Sequence, residues 1–151
     1  MSTFGSVDEI LDFAIDKEDE ATQFYISMAN RVEKPWMKQV FKDFAAQEIR
    51  HKTKLQQVKE GGELKPSEVK VTDLKIADYL VPAEIKPQMD YQDALTVAMK
   101  REKAAFRLYT DLGTRAKDPR IKEAFEALAQ EEAKHKLYLE LEYEGAILVE
   151  N

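Results

Sequence analysis

The chain contains two histidines, His51 and His135, and each has a glutamate three positions earlier, Glu48 and Glu132. On an α-helix, positions i and i+3 share a face. Each Glu-x-x-His therefore projects a carboxylate and an imidazole together, which is how a helix offers two ligands to one metal cluster. The frame around them also recurs: Ala45-Ala46-Gln47-Glu48-Ile49-Arg50-His51-Lys52 is matched by Ala129-Gln130-Glu131-Glu132-Ala133-Lys134-His135-Lys136. Glutamate fills 18 of 151 positions, so chance would place a Glu before both histidines about once in 70 such sequences.

The elements that must carry these residues are helical. Ser6-Val7-Asp8-Glu9 is a capping box. The apolar stripe after it, Ile10, Leu11, Ala14, Ile15, Ala21, Phe24 or Tyr25, and Met28, has Glu18 set within it and predicts a first helix ending near Arg31 or Val32. Pro35 suits the first turn of a second helix, whose stripe of Phe41, Phe44, Leu55 and Val58 includes Glu48 and His51 and stops at Gly61-Gly62. Asp90 caps a third helix carrying Leu95, Ala98, Glu102, Ala105 and Leu112, and Asp118-Pro119 opens a fourth carrying Ile121, Phe125, Glu132, His135 and Leu139. Gly145 is expected to end that helix, leaving Ala146–Asn151 as a short extended tail against a bundle end or a neighbouring subunit. Between the second and third helices, residues 62–90 hold three of the five prolines, a short alternating run at Val69–Val71, and Thr72 placed to cap a short helix over Asp73–Leu80.

A single gapless offset of 84 residues lays the second half on the first. It pairs Leu11 with Leu95, Glu18 with Glu102, Tyr25 with Tyr109, Pro35 with Pro119, Phe41 with Phe125, Glu48 with Glu132, His51 with His135 and Gly61 with Gly145. Residues 7–61 and 91–145 are two copies of one helical hairpin, and a pseudo-twofold between them makes the second and third helices point the same way. The segment 62–90 must then run the length of the bundle, about 39 Å for a 26-residue helix. This predicts one all-α domain over 1–151: an antiparallel four-helix bundle with one long crossover, the ferritin-like topology.

In the first hairpin Glu18 lies 14 residues before Val32, and Glu48 lies 13 after Pro35; the second hairpin gives the same counts for Glu102 and Glu132. Glu18, Glu48, His51, Glu102, Glu132 and His135 therefore converge on one level, about 20 Å from the hairpin turns. Four carboxylates in a core repel one another and are costly to desolvate. Two divalent cations would neutralise them, and bridging carboxylates with one imidazole per metal suit iron or manganese.

Glu, then Glu-x-x-His, a crossover, then Glu and Glu-x-x-His resembles the ligand set of the ferritin-like di-iron carboxylate proteins. Glu18-x-x-Ala21-x-x-Phe24-Tyr25 in compact hairpins resembles the rubrerythrin branch, over residues 7–145. The resemblance implies two iron ions (manganese or a mixed pair being the alternatives), with Glu48 and Glu132 bridging, Glu18 and Glu102 terminal, and one histidine on each iron. It also implies that Tyr25 and Tyr109 donate to ligand carboxylates. Rubrerythrin has a further glutamate one turn after the third-helix ligand, where this chain has Ala105; the symmetric six-residue set is closer to that of bacterioferritin.

The rest of the composition narrows the function. A net charge of −6 argues against a nucleic-acid surface and gives no support to an anionic-membrane patch. With no cysteine there is no thiolate site and no rubredoxin-type centre. No secretory leader or membrane span is legible, and the chain reads as soluble and cytoplasmic. The resemblance implies a homodimer that reduces hydrogen peroxide, or reacts with dioxygen, in defence against oxidative stress. Electrons would come from a separate donor protein, and no catalytic residue apart from the ligands is evident. The alternatives are an iron-handling, ferroxidase-type protein and a helical interaction protein with a structural metal. Glu20, Glu131 and the lysine pairs read as solvated, and Trp36 as a packing plug.

Overall fold

A computed structural model describes residues 6–67, 71–80 and 82–150, with side chains through Ala146. Five helices follow in order: α1 (Val7–Ala29), α2 (Pro35–Lys59), α3 (Ile76–Tyr79), α4 (Tyr91–Arg115) and α5 (Pro119–Glu150). No strand occurs among the described residues. α1 packs along α2, α4 packs along α5, and the two hairpins meet to form a ferritin-like four-helix bundle.

The helix starts follow local chemistry. Ser6 Oγ accepts from Glu9 N at α1, and Asp90 Oδ1 accepts from Asp93 N at α4. Pro35 and Pro119 begin α2 and α5, where a missing N–H costs nothing. α1 stops at Ala29, with Asn30 as its C-cap, two residues before the expected end. α2 ends as expected: Gly61 takes φ +105 and Gly62 N closes back onto Gln57 O at 2.8 Å.

The equivalence of Gly61 and Gly145 fails. α5 runs through Gly145 to Glu150, so the extended tail is replaced by further helix. Gly61 is followed by a second glycine whose N–H satisfies an orphan carbonyl. Gly145 is followed by Ala146, Ile147 and Leu148, and has no left-handed conformation to stop the helix. One mid-helix glycine costs only about 1 kcal/mol, and Ala146 packs on the core. The packing of the last residues, and Val69 and Lys70 of the alternating run, lie outside the described residues.

The crossover is held along α5 and then α4. Gln130 exchanges hydrogen bonds with the Ser67 backbone at 2.5 and 2.6 Å. Lys136 Nζ reaches Asp73 at 2.7 Å and Glu140 at 3.1 Å, and Glu140 accepts from Ile76 N at 2.6 Å. Lys100 donates to Ala77 O, and Lys103 pairs with Asp78. The short helix is present but begins at Ile76, not Asp73, because Asp73 is turned to Lys136 and to Lys75 N. Lys136 is therefore buried, unlike its sequence copy Lys52. Lys52 stays partly exposed on Asp19.

Two apolar clusters fill the bundle. One contains Met28, Val32, Phe41, Leu95 and Leu139; the other contains Leu11, Leu55, Leu112, Ile121 and Phe125. Trp36 is half exposed, with its ring edge-on to Tyr91, so it seals the hairpin end only partly.

Candidate metal centre

All six residues converge in the core: Glu18 on α1, Glu48 and His51 on α2, Glu102 on α4, and Glu132 and His135 on α5. None is more than 4% exposed. His51 Nδ1 lies 3.1 Å from Glu132, 3.6 Å from Glu48 and 3.8 Å from Glu18. His135 Nδ1 lies 3.2 Å from Glu48 and 3.7 Å from Glu102. The near repeat of these distances, 3.1 with 3.2 Å and 3.8 with 3.7 Å, expresses the 84-residue duplication as a pseudo-twofold. The two imidazoles stack across that axis, their centroids 5.4 Å apart and their planes inclined by 9°.

The polar atoms form two overlapping groups whose donors lie within 4.8 Å of one another: Glu18, Glu48, His51 and Glu132, and Glu48, Glu102, Glu132 and His135. Glu48 and Glu132 belong to both. Seven buried side-chain atoms have no hydrogen-bond partner among the described residues, and six of them are Glu18 Oε2, Glu48 Oε1, His51 Nδ1, Glu102 Oε2, Glu132 Oε1 and His135 Nδ1. Buried polar atoms are almost always satisfied. One orphan on each of six converging residues, with both imidazoles presenting Nδ1, is a buried acidic and histidine group that could hold metal.

Without metal, the cluster balances its charge with protons. Burial, and then contact with Glu48, raises the Glu18 carboxyl to about 8. Burial and the charges of Glu102 and Glu48 hold Glu132 well above the usual range. Burial alone would raise Glu48 too, but Glu18 and both histidines overcome it and push Glu48 below the normal carboxylate range. Burial works against imidazolium at His51 and His135, yet the surrounding carboxylates prevail and raise both to about 10.

The tyrosines touch the cluster, but across the hairpins. Tyr109 Oη donates to Glu18 Oε1 at 2.6 Å, and Tyr25 Oη donates to Glu102 Oε1. Each sits two turns from the glutamate of its own helix, so sequence spacing did not reveal the exchange. Burial and the facing carboxylates raise both phenols well above their ordinary value, keeping them protonated donors.

Two residues read as solvated or unremarked belong to the site's surroundings. Glu131 is only partly exposed, and its carboxylate lies within 4.8 Å of a ring nitrogen of each histidine. Gln47 Oε1 lies 2.5 Å from His135 Nε2. The signal was available in the sequence, because the offset of 84 pairs Gln47 with Glu131. Glu20 is exposed, as expected. On the α1–α4 side, a cleft of about 200 Å³ reaches the four carboxylates past Ala21, Ala104 and Ala105.

A ferritin-like bundle with a buried four-carboxylate, two-histidine layer fits a carboxylate-type metal site. The rubrerythrin family model matches residues 9–143, and the chain belongs to the rubrerythrin family. Among solved structures, it is similar to an uncharacterized conserved protein from Magnetospirillum magnetotacticum MS-1, with a TM-score of 0.71 and 25% identity over 93% of this chain and 95% of that one. It is also similar to a hypothetical protein from Pyrococcus furiosus, with a TM-score of 0.64 and 27% identity over 93% and 89%. No curated protein matches the chain. No helix among the described residues is long and apolar enough to cross a membrane.

Proposed function

We propose that the chain is a dinuclear non-haem iron oxidoreductase that reduces hydrogen peroxide or reacts with dioxygen. The observation that carries this reading is the pair of four-residue groups sharing Glu48 and Glu132, with one unpartnered buried atom on each of the six residues. Glu18 and His51 would hold one metal and Glu102 and His135 the other, with Glu48 and Glu132 available to both. Bound iron supplies two electrons for the reduction.

The chain's own residues do the rest. Tyr109 and Tyr25 fix one oxygen of Glu18 and of Glu102, turning the other oxygen inward. The apolar clusters on either side exclude water along the bundle axis. The α1–α4 cleft admits a molecule the size of peroxide, because alanine stands at 21, 104 and 105. Electrons come from a separate donor protein, and the functional unit is a cytoplasmic homodimer. The second reading, iron oxidation and holding without a turnover substrate, is favoured by Ala105, which offers no seventh oxygen and leaves the ligand set symmetric.

Metal analysis of protein purified without oxygen is expected to give two irons per chain, and sub-stoichiometric metal in Glu132→Ala. Unchanged metal in that variant refutes the site. Stopped-flow of the reduced protein is expected to show faster oxidation by hydrogen peroxide than by dioxygen; the reverse order selects the iron-handling reading.

A further inference from the structure

The cleft between α1 and α4 is larger than hydrogen peroxide needs. Even at a water's full share of the liquid, about 30 Å³ per oxygen, hydrogen peroxide fills only roughly 60 Å³. The cleft offers about 200 Å³. Its upper walls are apolar: Ala21 on α1, and Ala104, Ala105 and Leu108 on α4. Its floor is the buried carboxylates of Glu18, Glu48, Glu102 and Glu132. One oxygen on each of those four has no hydrogen-bond partner among the described residues.

The duplication keeps both walls low, because the offset of 84 pairs Ala21 with Ala105. It also pairs Lys17 with Arg101, the two cations at the mouth. Both are tied to rings of α1 beside the cleft. Lys17 lies over Phe13 and pairs with Glu20 at 3.3 Å, and Arg101 lies 4.7 Å from the centre of the Phe24 ring. The α2–α5 cleft has another character: Asp43, Gln47, Glu131 and Lys134 border it, and it ends on His135. A hydrocarbon group entering there would strip water from charged groups. Between α1 and α4 it covers alanine and leucine side chains instead.

We infer that the α1–α4 cleft selects small alkyl hydroperoxides. The O–O–H end meets the carboxylate layer, and the alkyl group lies among Ala21, Ala104, Ala105 and Leu108. This rests on the peroxide-reducing reading above and names its substrate class. The O–O bond of R–O–O–H breaks, taking one electron from each of two ferrous ions and two protons from solvent; R–OH and water leave, and two ferric ions remain. Each buried CH₂ favours binding about fourfold, a gain that hydrogen peroxide cannot make.

The first test needs no metal. tert-Butanol, the redox-inert product of tert-butyl hydroperoxide, is added to metal-free protein carrying ¹³C-methyl alanine. Nuclear Overhauser contacts from the tert-butyl protons are expected at the Ala21 and Ala105 methyls, and at Ala21 they are lost in Ala105→Leu. The second test is stopped-flow of the reduced, iron-loaded protein. In wild type, tert-butyl hydroperoxide is expected to react at least as fast as hydrogen peroxide at equal concentration. In Ala105→Leu its rate falls by about tenfold more than that of hydrogen peroxide, the size of effect a filled apolar pocket has. The hydrogen peroxide rate in the same variant controls for folding and iron content. Absence of contacts at Ala21 and Ala105 in wild type, or a rate ratio unchanged in Ala105→Leu, overturns the proposal. Failure of both peroxides to oxidise wild type that holds two irons overturns the peroxide-reducing reading beneath it.

Discussion

Replacing Glu18 by glutamine is expected to stabilise the metal-free protein and to reduce the stability that metal adds. Glu18 is 1% exposed, and burial with the neighbouring Glu48 raises its carboxyl from 4.5 to about 8. A carboxyl whose folded value lies above its unfolded value favours folding most below the unfolded value. That support is lost as pH rises toward the folded value. Between pH 4.5 and 7 the chain must keep a proton on Glu18 that the unfolded chain releases, at about 1.36 kcal/mol per pH unit, or about 3 kcal/mol at pH 7. Glutamine keeps the shape, accepts from Tyr109 through its carbonyl oxygen, and donates toward Glu48 without needing that proton. At roughly 2–4 °C per kcal/mol for a chain of this size, metal-free Glu18→Gln should melt about 6–12 °C above wild type at pH 7. The gap should close as pH falls to 4.5. Metal narrows the gap: a ligand at about 100 times its dissociation constant adds about 2.7 kcal/mol to wild type, and less to a variant lacking one donor. Calorimetry with and without iron, at pH 4.5 and pH 7, measures all four states. A metal-free variant that melts at or below wild type at pH 7, or a gap independent of pH, refutes the reasoning.

Lys136→Met should destabilise by about 3–5 kcal/mol, because it leaves the fully buried Glu140 without its cation; Lys136→Met/Glu140→Leu should recover most of the loss in a denaturant titration. Tyr109→Phe and Tyr25→Phe should each cost about 1–3 kcal/mol, since each strips a donor from a buried carboxylate, and chemical denaturation should show similar losses for the two symmetry-related variants. Ala105→Leu should narrow the α1–α4 cleft and slow reaction with peroxide by on the order of tenfold while two irons remain bound. An unchanged stopped-flow rate would place the entry route elsewhere.

Much of this protein was legible in its sequence, because a duplicated chain states its own geometry. The offset of 84 defined two hairpins and a crossover. Equal distances from the hairpin turns then put Glu18, Glu48, His51, Glu102, Glu132 and His135 on one level. Those quantities depend only on helical rise and periodicity, which are local. What needed the tertiary structure was every contact between hairpins. Tyr109 bonds Glu18 and Tyr25 bonds Glu102, because the pseudo-twofold faces α1 with α4, and no spacing within one hairpin encodes that exchange. Lys136 departs from its copy Lys52 because the crossover passes over α5 and brings Asp73 to it. Gly145 departs from Gly61 because a glycine ends a helix only where the following residues can close the turn, and here Ala146 finds core to pack on. Helices and their faces follow from the order of residues along the chain; the partners of those faces are set by where the crossover lays the second hairpin against the first.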